Sequence, residues 1–306
     1  MKRNRAWVAA VCLALPAALW AQANESGVKK ELADLSFYGM PAGLMPGVDA
    51  VPKAVADADR VAAIEQAAKD IVALPAGAKK VAFADQLAVI STQGQNGLEA
   101  MQTAADTLAA ALKESPQPVG KDRRLAHAYV VLARMAQIAK VQAALSGTEM
   151  DLAAKLVAAN EADVEKVDFT LRDLDDKKVT LSALKGKIVL VNFFSLNCGA
   201  CLREMADLEI IHEHYAGQGV VILSISEDDP AQVFAAMARL RYRPQVLTDD
   251  AAIGSYGTTG RAFHIDGVPR TFVFDREGKL AAQSLDMCTQ RQFLTMLARA
   301  GLQQGQ

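Results

Sequence analysis

Hydrophobic positions along the chain change their period near residue 163. From 54 to 162 they recur every three to four residues, the period of a helix with one buried face. Val61, Ile64, Ala68 and Ile71 predict one helix, ended by Pro75 and Gly77. Phe83, Leu87 and Ile90 predict a second, ended near Gly94, and Leu98, Met101, Leu108 and Leu112 a third, ended by Pro116 and Pro118. A longer fourth runs from Asp122 to Leu145 and closes at Gly147. A fifth, capped by Thr148 with Asp151, runs to Ala162. Their alanine faces allow close packing, so the region reads as an all-α five-helix bundle. It carries no tetratricopeptide signature.

After residue 163 the period falls to two, or to unbroken apolar runs. Asp168–Ser182 alternates around Asp175-Asp-Lys-Lys178 and predicts a hairpin. Ile188–Phe194 is uncharged and rich in β-branched and aromatic residues, the pattern of a buried strand. A turn at Ser195–Asn197 leads into a helix with Leu202, Met205, Leu208, Ile211 and Tyr215 on one face. Val220–Ser226 is a second buried strand. Asp229-Pro230 opens a helix through Phe234, Met237 and Leu240. Val246–Thr248 is a short strand, and 250–262 is Gly-rich without a period. Val268-Pro269 precedes a strand at Thr271–Phe274. Arg276-Glu-Gly278 turns into Lys279–Gln283, and Thr289 with Gln292 caps a last helix carrying Phe293, Leu294 and Leu297. Strands alternating with helices predict an α/β domain, a central mixed sheet with helices on both faces.

The N-terminus adds a different pattern. Lys2, Arg3 and Arg5 precede an apolar stretch, Ala6–Trp20, and Ala21-Gln-Ala23 is a small-x-small site, so residues 1–23 read as a secretory signal peptide. The alternative is an uncleaved anchor, although the stretch falls short of the roughly 20 residues a span needs. Cys12 follows Val11 rather than the small residue of a lipoprotein site. Residues 24–53 mix Gly, Pro and Met without a period and are expected to be an extended arm or linker. The organisation is then 1–23 signal peptide, 24–53 arm, 54–162 helical domain and 163–306 α/β domain. A chain of 306 residues suits two domains. Its 51% hydrophobic content excludes global disorder, and a net charge of −2 gives no electrostatic case for nucleic acid.

Of four cysteines, Cys12 lies in the leader, leaving Cys198, Cys201 and Cys288. That is too few for a disulfide-built scaffold. Cys198 falls where a helix begins, where unpaired N–H groups and the dipole favour a thiolate. Cys201 is one turn on, close enough to close a disulfide, so the pair reads as a dithiol–disulfide exchange centre. Cys288 is either a third redox thiol, an intermolecular bridge, or a small apolar filler. His212 and His214 are two apart and do not share a helix face. His264 with Cys198 and Cys201 makes a copper-compatible donor set. Ser195-x-x-Cys198 partly matches a peroxidatic loop, but Val191 stands where proline is expected. The helical region has no Cys and only His127, which leaves it a structural, partner-binding or self-associating role.

Residues 166–303 resemble the thioredoxin-like domain of the TlpA/ResA type, periplasmic thiol–disulfide reductases. The resemblance rests on Phe169-Thr-Leu, Leu181-Ser-Ala-Leu-Lys-Gly-Lys187, Val189-Leu-Val-Asn-Phe193, Cys198-x-x-Cys201-x-x-Glu204 and Gly267-Val-Pro-Arg-Thr-Phe-Val-Phe-Asp275. It implies that Cys198 attacks, that Cys201 resolves, and that Pro269 is a cis-proline facing the pair. Val268 would then offer backbone groups to an extended substrate. It implies that Glu204 handles protons with a raised pKa, Asn192 standing where thioredoxins place an aspartate. It implies no cofactor beyond the redox-active disulfide, protein thiol or disulfide substrates, a membrane electron donor, and clients in cytochrome c maturation or copper-site assembly.

Three positions depart from the family. Asn197 stands for its tryptophan, Ala206 for its helix proline, and Arg270 for its threonine. An inward-pointing Arg270 would favour a thiolate. The expectation is a periplasmic thiol–disulfide oxidoreductase working as a reductase. The alternatives are a Sco-like copper-binding protein using Cys198, Cys201 and His264, and a peroxiredoxin-like peroxidase.

Overall fold

The computed structural model describes residues 17–36, 57–93, 96–116, 123–249 and 256–303. Six helices precede the first strand among them: α1 (Ala17–Ser36), α2 (Asp57–Val72), α3 (Ala78–Ser91), α4 (Gly97–Glu114), α5 (Arg123–Arg134) and α6 (Thr148–Val164). The arm expected at 24–53 is helical as far as Ser36. Val28, Leu32 and Leu35 fall on one face of α1 and are buried in the bundle core with Ile64, Ile71, Leu87, Leu108 and Leu132. The rest of that arm, and leader residues 1–16, lie outside the described residues. No described helix is long and apolar enough to cross a membrane.

The bundle corrects three further details. Leu98, expected on the buried face of α4, is 55% exposed. The face that packs is built from Ala100, Ala104, Ala105, Leu108, Ala111 and Leu112, because alanines set the helix spacing here. The fourth helix stops short of Leu145. It widens into a π turn at Met135–Ala139 and ends where Lys140 takes a left-handed conformation, φ 62°. Thr148 is not the cap of α6; Gly147 is, and its carbonyl accepts the Asp151 amide. Two cations are buried among the alanines. Arg60 donates to the Leu35 carbonyl and to Asn96, and Lys80 to the Val72 carbonyl and Glu114.

The C-terminal half holds β1 (Thr170–Asp173), β2 (Lys178–Thr180), β3 (Ile188–Phe193), α7 (Gly199–Tyr215), β4 (Val220–Ser226), α8 (Pro230–Leu240), β5 (Gln245–Thr248), α9 (Thr258–Ala262), β6 (Arg270–Phe274), β7 (Leu280–Gln283) and α10 (Gln290–Arg299). The described strands form one mixed sheet in the order β2-β1-β5-β4-β3-β6-β7. β3 is central, parallel to β4 and antiparallel to β6. Its side chains alternate. Ile188 and Leu190 face α7, α8 and α10, while Val189, Val191 and Phe193 face Phe263, Phe272 and Phe274. Three long helices thus cover one face. The end of α6, short α9 and the segment after it cover the other. In α8 the packed residues are Val233, Ala236 and Met237; Phe234, expected inside, is 59% exposed.

The halves meet beside β6 and β7. Arg134 pairs with Asp266 at 2.6 Å, Gln93 donates to Asp286 at 3.1 Å, and Gln283 to Glu161 at 3.2 Å. Leu285 packs against the bundle core.

Candidate active site

β3 and α7 position the cysteines. The strand delivers the chain to a turn at Ser195–Asn197, which Asp228 holds by accepting from the Leu196 amide at 2.7 Å and from the Ser195 hydroxyl. Cys198 is the N-cap of α7, with extended backbone, and its sulfur accepts from the Cys201 amide at 3.1 Å. That bond uses one of the donors a helix start leaves unpaired. Cys198 and Cys201 are joined as a disulfide, Cα atoms 5.3 Å apart. Their environments differ: Cys201 is 1% exposed, whereas Cys198 is only part-buried. An incoming group therefore meets the Cys198 sulfur first.

The Val268–Pro269 bond is cis, and the Val268 carbonyl lies 3.6 Å from the Cys198 sulfur. The loop before β6 thus brings a backbone acceptor to the accessible sulfur. Asn197 is exposed on the preceding turn, and Ala206 is exposed on α7.

Glu204 lies one turn beyond Cys201, on the same face of α7, and is 1% exposed. One carboxyl oxygen accepts from Asn192 Nδ2 at 3.1 Å, the other from the Cys288 backbone amide. Burial holds this carboxyl well above the ordinary 4.5. The two N–H donors pull it back, and the nearby Asp286 and Asp207 add to the rise. Asn192 also donates to Thr271, its register partner on β6, at 3.0 Å. The Thr271 amide donates to the Ser284 hydroxyl. A buried polar seam therefore crosses the sheet beneath the disulfide.

Arg270 does not point at the cysteines. Its guanidinium donates to the carbonyls of Ser284, at 2.6 Å, and Leu285, at 3.0 Å, and lies over the Phe272 ring. Full burial brings it down to about 10. Cys288 is buried as a free thiol, and burial pushes it well above 9.0, with the Glu204 and Asp286 charges adding to the rise. The sequence missed that its backbone, rather than its sulfur, reaches Glu204. It also missed Asp228, Thr271, Ser284 and Asp286, because each joins the site through a long-range contact.

The copper-compatible set is not assembled. His264 Nε2 sits 3.5 Å from Asp163, on the sheet face away from α7. Among the described residues no group of three or more His, Cys, Asp or Glu side chains stands close enough to hold a metal. His214 bonds the Ile210 carbonyl of its own helix.

The sequence model of the AhpC/TSA family matches residues 164–283. The thiol-disulfide oxidoreductase ResA of Bacillus thuringiensis (strain Al Hakam) is 28% identical over 131 residues, which cover 42% of this chain and 72% of that protein. ResA of Geobacillus thermodenitrificans is 30% identical over 116 residues, covering 37% and 63%. The C-terminal half has a thioredoxin-like mixed sheet with helices and is similar to ResA. A crystal structure titled as a putative thiol:disulfide interchange protein DsbE, from Chlorobium tepidum, aligns with 44% of this chain and 94% of its own, at 23% identity and a TM-score of 0.40. The thioredoxin-like domain contains the disulfide, Glu204 and the cis-proline, and its activity class is thiol–disulfide oxidoreductase. The family match lies in the C-terminal half of the chain.

Proposed function

We propose that this protein reduces disulfides of other proteins outside the cytoplasm, by exchange at Cys198 and Cys201 with Glu204 as the proton acceptor. One observation carries the reading. A part-exposed sulfur at a helix start, a buried sulfur one turn on and a buried carboxyl one turn further lie along one helix. In the dithiol form the Cys198 thiolate attacks a client disulfide. A Cys198–client bond forms, the client S–S bond breaks, and the departing client thiolate takes a proton from water. Cys201 then passes its proton to the Glu204 carboxylate and attacks the Cys198 sulfur. The enzyme disulfide forms and the second client thiolate leaves. Two electrons have moved from the enzyme to the client, and a dithiol protein donor restores the starting form.

The reading needs no metal or organic cofactor. Val268 and Pro269 would align the client strand against the Cys198 sulfur. A disulfide between neighbours on one helix favours exchange over peroxide reduction. The leader-like residues 1–23 support an exported, periplasmic setting. The test is insulin reduction by the reduced full chain against Cys198→Ala. The reading expects loss of turnover in the variant, and equal rates overturn it. The reduction potential of the pair fixes the direction, and a value well above that of general protein disulfides would make it an oxidant.

A further inference from the structure

A cavity of about 160 Å³ lies between the bundle and the cis-proline loop. Val89 and Val131, from α3 and α5, form one wall; Pro269 and Leu285 form the other. It is smaller than the roughly 300–1,000 Å³ of small-molecule sites, and it opens beside the Val268 carbonyl, which lies 3.6 Å from the Cys198 sulfur. Its charges are matched. Arg134 faces Asp266, Arg270 lies beside Asp286, and His127 faces Asp85. Burying a further charge there would find no counter-ion and would be costly. Arg270, on the same wall, holds a buried Nε–H that meets no acceptor among the described residues.

We infer that the helical half is the specificity element of the proposed reaction: with the cis-proline loop it forms a pocket for one apolar or aromatic side chain of the client, next to the client's cysteine. This rests on the exchange reading above. An extended client advances about 3.3 Å per residue, so the residue that reaches the cavity is within about two positions of its cysteine. The bundle excludes folded neighbours and charged flanks, and the enzyme domain alone supplies only backbone pairing.

The test uses the reduced full chain and single-cysteine peptides carried as mixed disulfides with thionitrobenzoate, which release a coloured thiolate. The peptides bear Phe or Asp two positions to either side of the cysteine. Wild type is expected to favour Phe over Asp by about tenfold or more, the range a single apolar contact supplies. Thr92→Trp, at the α3 C-cap on the cavity wall, is expected to bring that ratio toward one. Val89→Ala enlarges the cavity and should move the preference from Phe to Trp. A general structural defect slows both peptides alike and leaves the ratio. A wild-type ratio near one, or ratios unchanged in both variants, overturns the inference; if Thr92→Trp does not fold, Val89→Ala decides alone. A wild type inert toward dithiobis(nitrobenzoic acid) as well would instead overturn the exchange reading, and this inference with it.

Discussion

Asn192 and Glu204 meet beneath the disulfide, amide nitrogen to carboxyl oxygen at 3.1 Å, one from the centre of β3 and the other from α7. The strand supplies a neutral donor that cannot titrate, so in the proposed reaction the carboxyl one turn beyond Cys201 is the group that takes its proton. Replacing it with an amide should leave attack by Cys198 intact and stall the second step. Glu204→Gln is expected to accumulate the mixed disulfide with client peptide and to slow its resolution about 10²-fold. Quenched-flow with thiol alkylation measures this. An unchanged resolution rate with a normal pH profile would remove Glu204 from the reaction.

The same carboxyl makes stability fall as pH rises. Its native pKa is raised, so the folded chain holds the proton more tightly than the unfolded one. Stability is full below the ordinary value of 4.5 and declines as pH climbs toward the raised native value. Gln offers one acceptor to the two donors, Asn192 and the Cys288 amide, and should cost about 1–3 kcal/mol in acid. The gap between wild type and Glu204→Gln is therefore expected to narrow as pH rises above 4.5 toward the raised native value. Urea denaturation of the disulfide-intact protein tests this, and a gap that widens contradicts it.

What could be read along the chain was whatever repeats locally. Ile188–Phe193 and the helix from Gly199 announce themselves by period and by the turn between them. Thr289 and Gln292 likewise cap the last helix, Gln292 accepting the Thr289 amide at 2.8 Å. The errors arose where burial depends on a neighbour. Leu98 and Phe234 are large and apolar yet lie outside, because alanines form the close contacts on α4 and a Val-Ala-Met face does so on α8. The site divides the same way. Cys198, Cys201 and Glu204 share one helix and were visible together. The Cys288 amide is 84 residues from Glu204 in sequence, and Gln93 is 193 from Asp286; no local pattern encodes those meetings.

Cys288 contributes its backbone to Glu204 and keeps its thiol buried and protonated. Cys288→Ala retains that amide. It is expected to change peptide exchange by less than about twofold, set against the loss in Glu204→Gln. In the oxidised folded protein, iodoacetamide at mildly alkaline pH should leave Cys288 unmodified, and denaturant should expose it. Peptide mapping by mass spectrometry reads both. Rapid labelling of folded protein at Cys288 would assign it a redox role instead.

Arg270 is a structural cation in this reading. Its guanidinium joins two successive carbonyls beside Asp286, and its burial is complete enough to lower it to about 10. Arg270→Ala strands those carbonyls and leaves Asp286 without its neighbouring cation. The expected cost is about 3 kcal/mol in urea unfolding. Arg270→Lys should recover only part, since an ammonium lacks the planar fork. The reactivity of Cys198 toward a small disulfide should stay close to wild type in the Lys variant, because the guanidinium points away from the pair. A large fall in that reactivity would show that Arg270 tunes the thiolate.

His127 gives a test of the bundle wall itself. Its hydrogen bond to Asp85, 2.9 Å, raises the imidazole above 6.5 despite partial burial, and the charge on Asp266 acts in the same direction. A folded pKa above the unfolded one means that the stabilisation is full below 6.5 and is lost as pH rises through the native value. Proton NMR of the oxidised protein should find His127 titrating above 6.5, and Asp85→Asn should bring it down. The variant's unfolding midpoint should also vary less with pH than the wild type's as pH rises above 6.5. Because the ring is 41% exposed, the effect on total stability will be small, and the titration is the decisive reading. A His127 that titrates below 6.5 in the wild type would mean that the Asp85 contact does not form in solution. The cavity beside the cis-proline would then be lined differently from the one described.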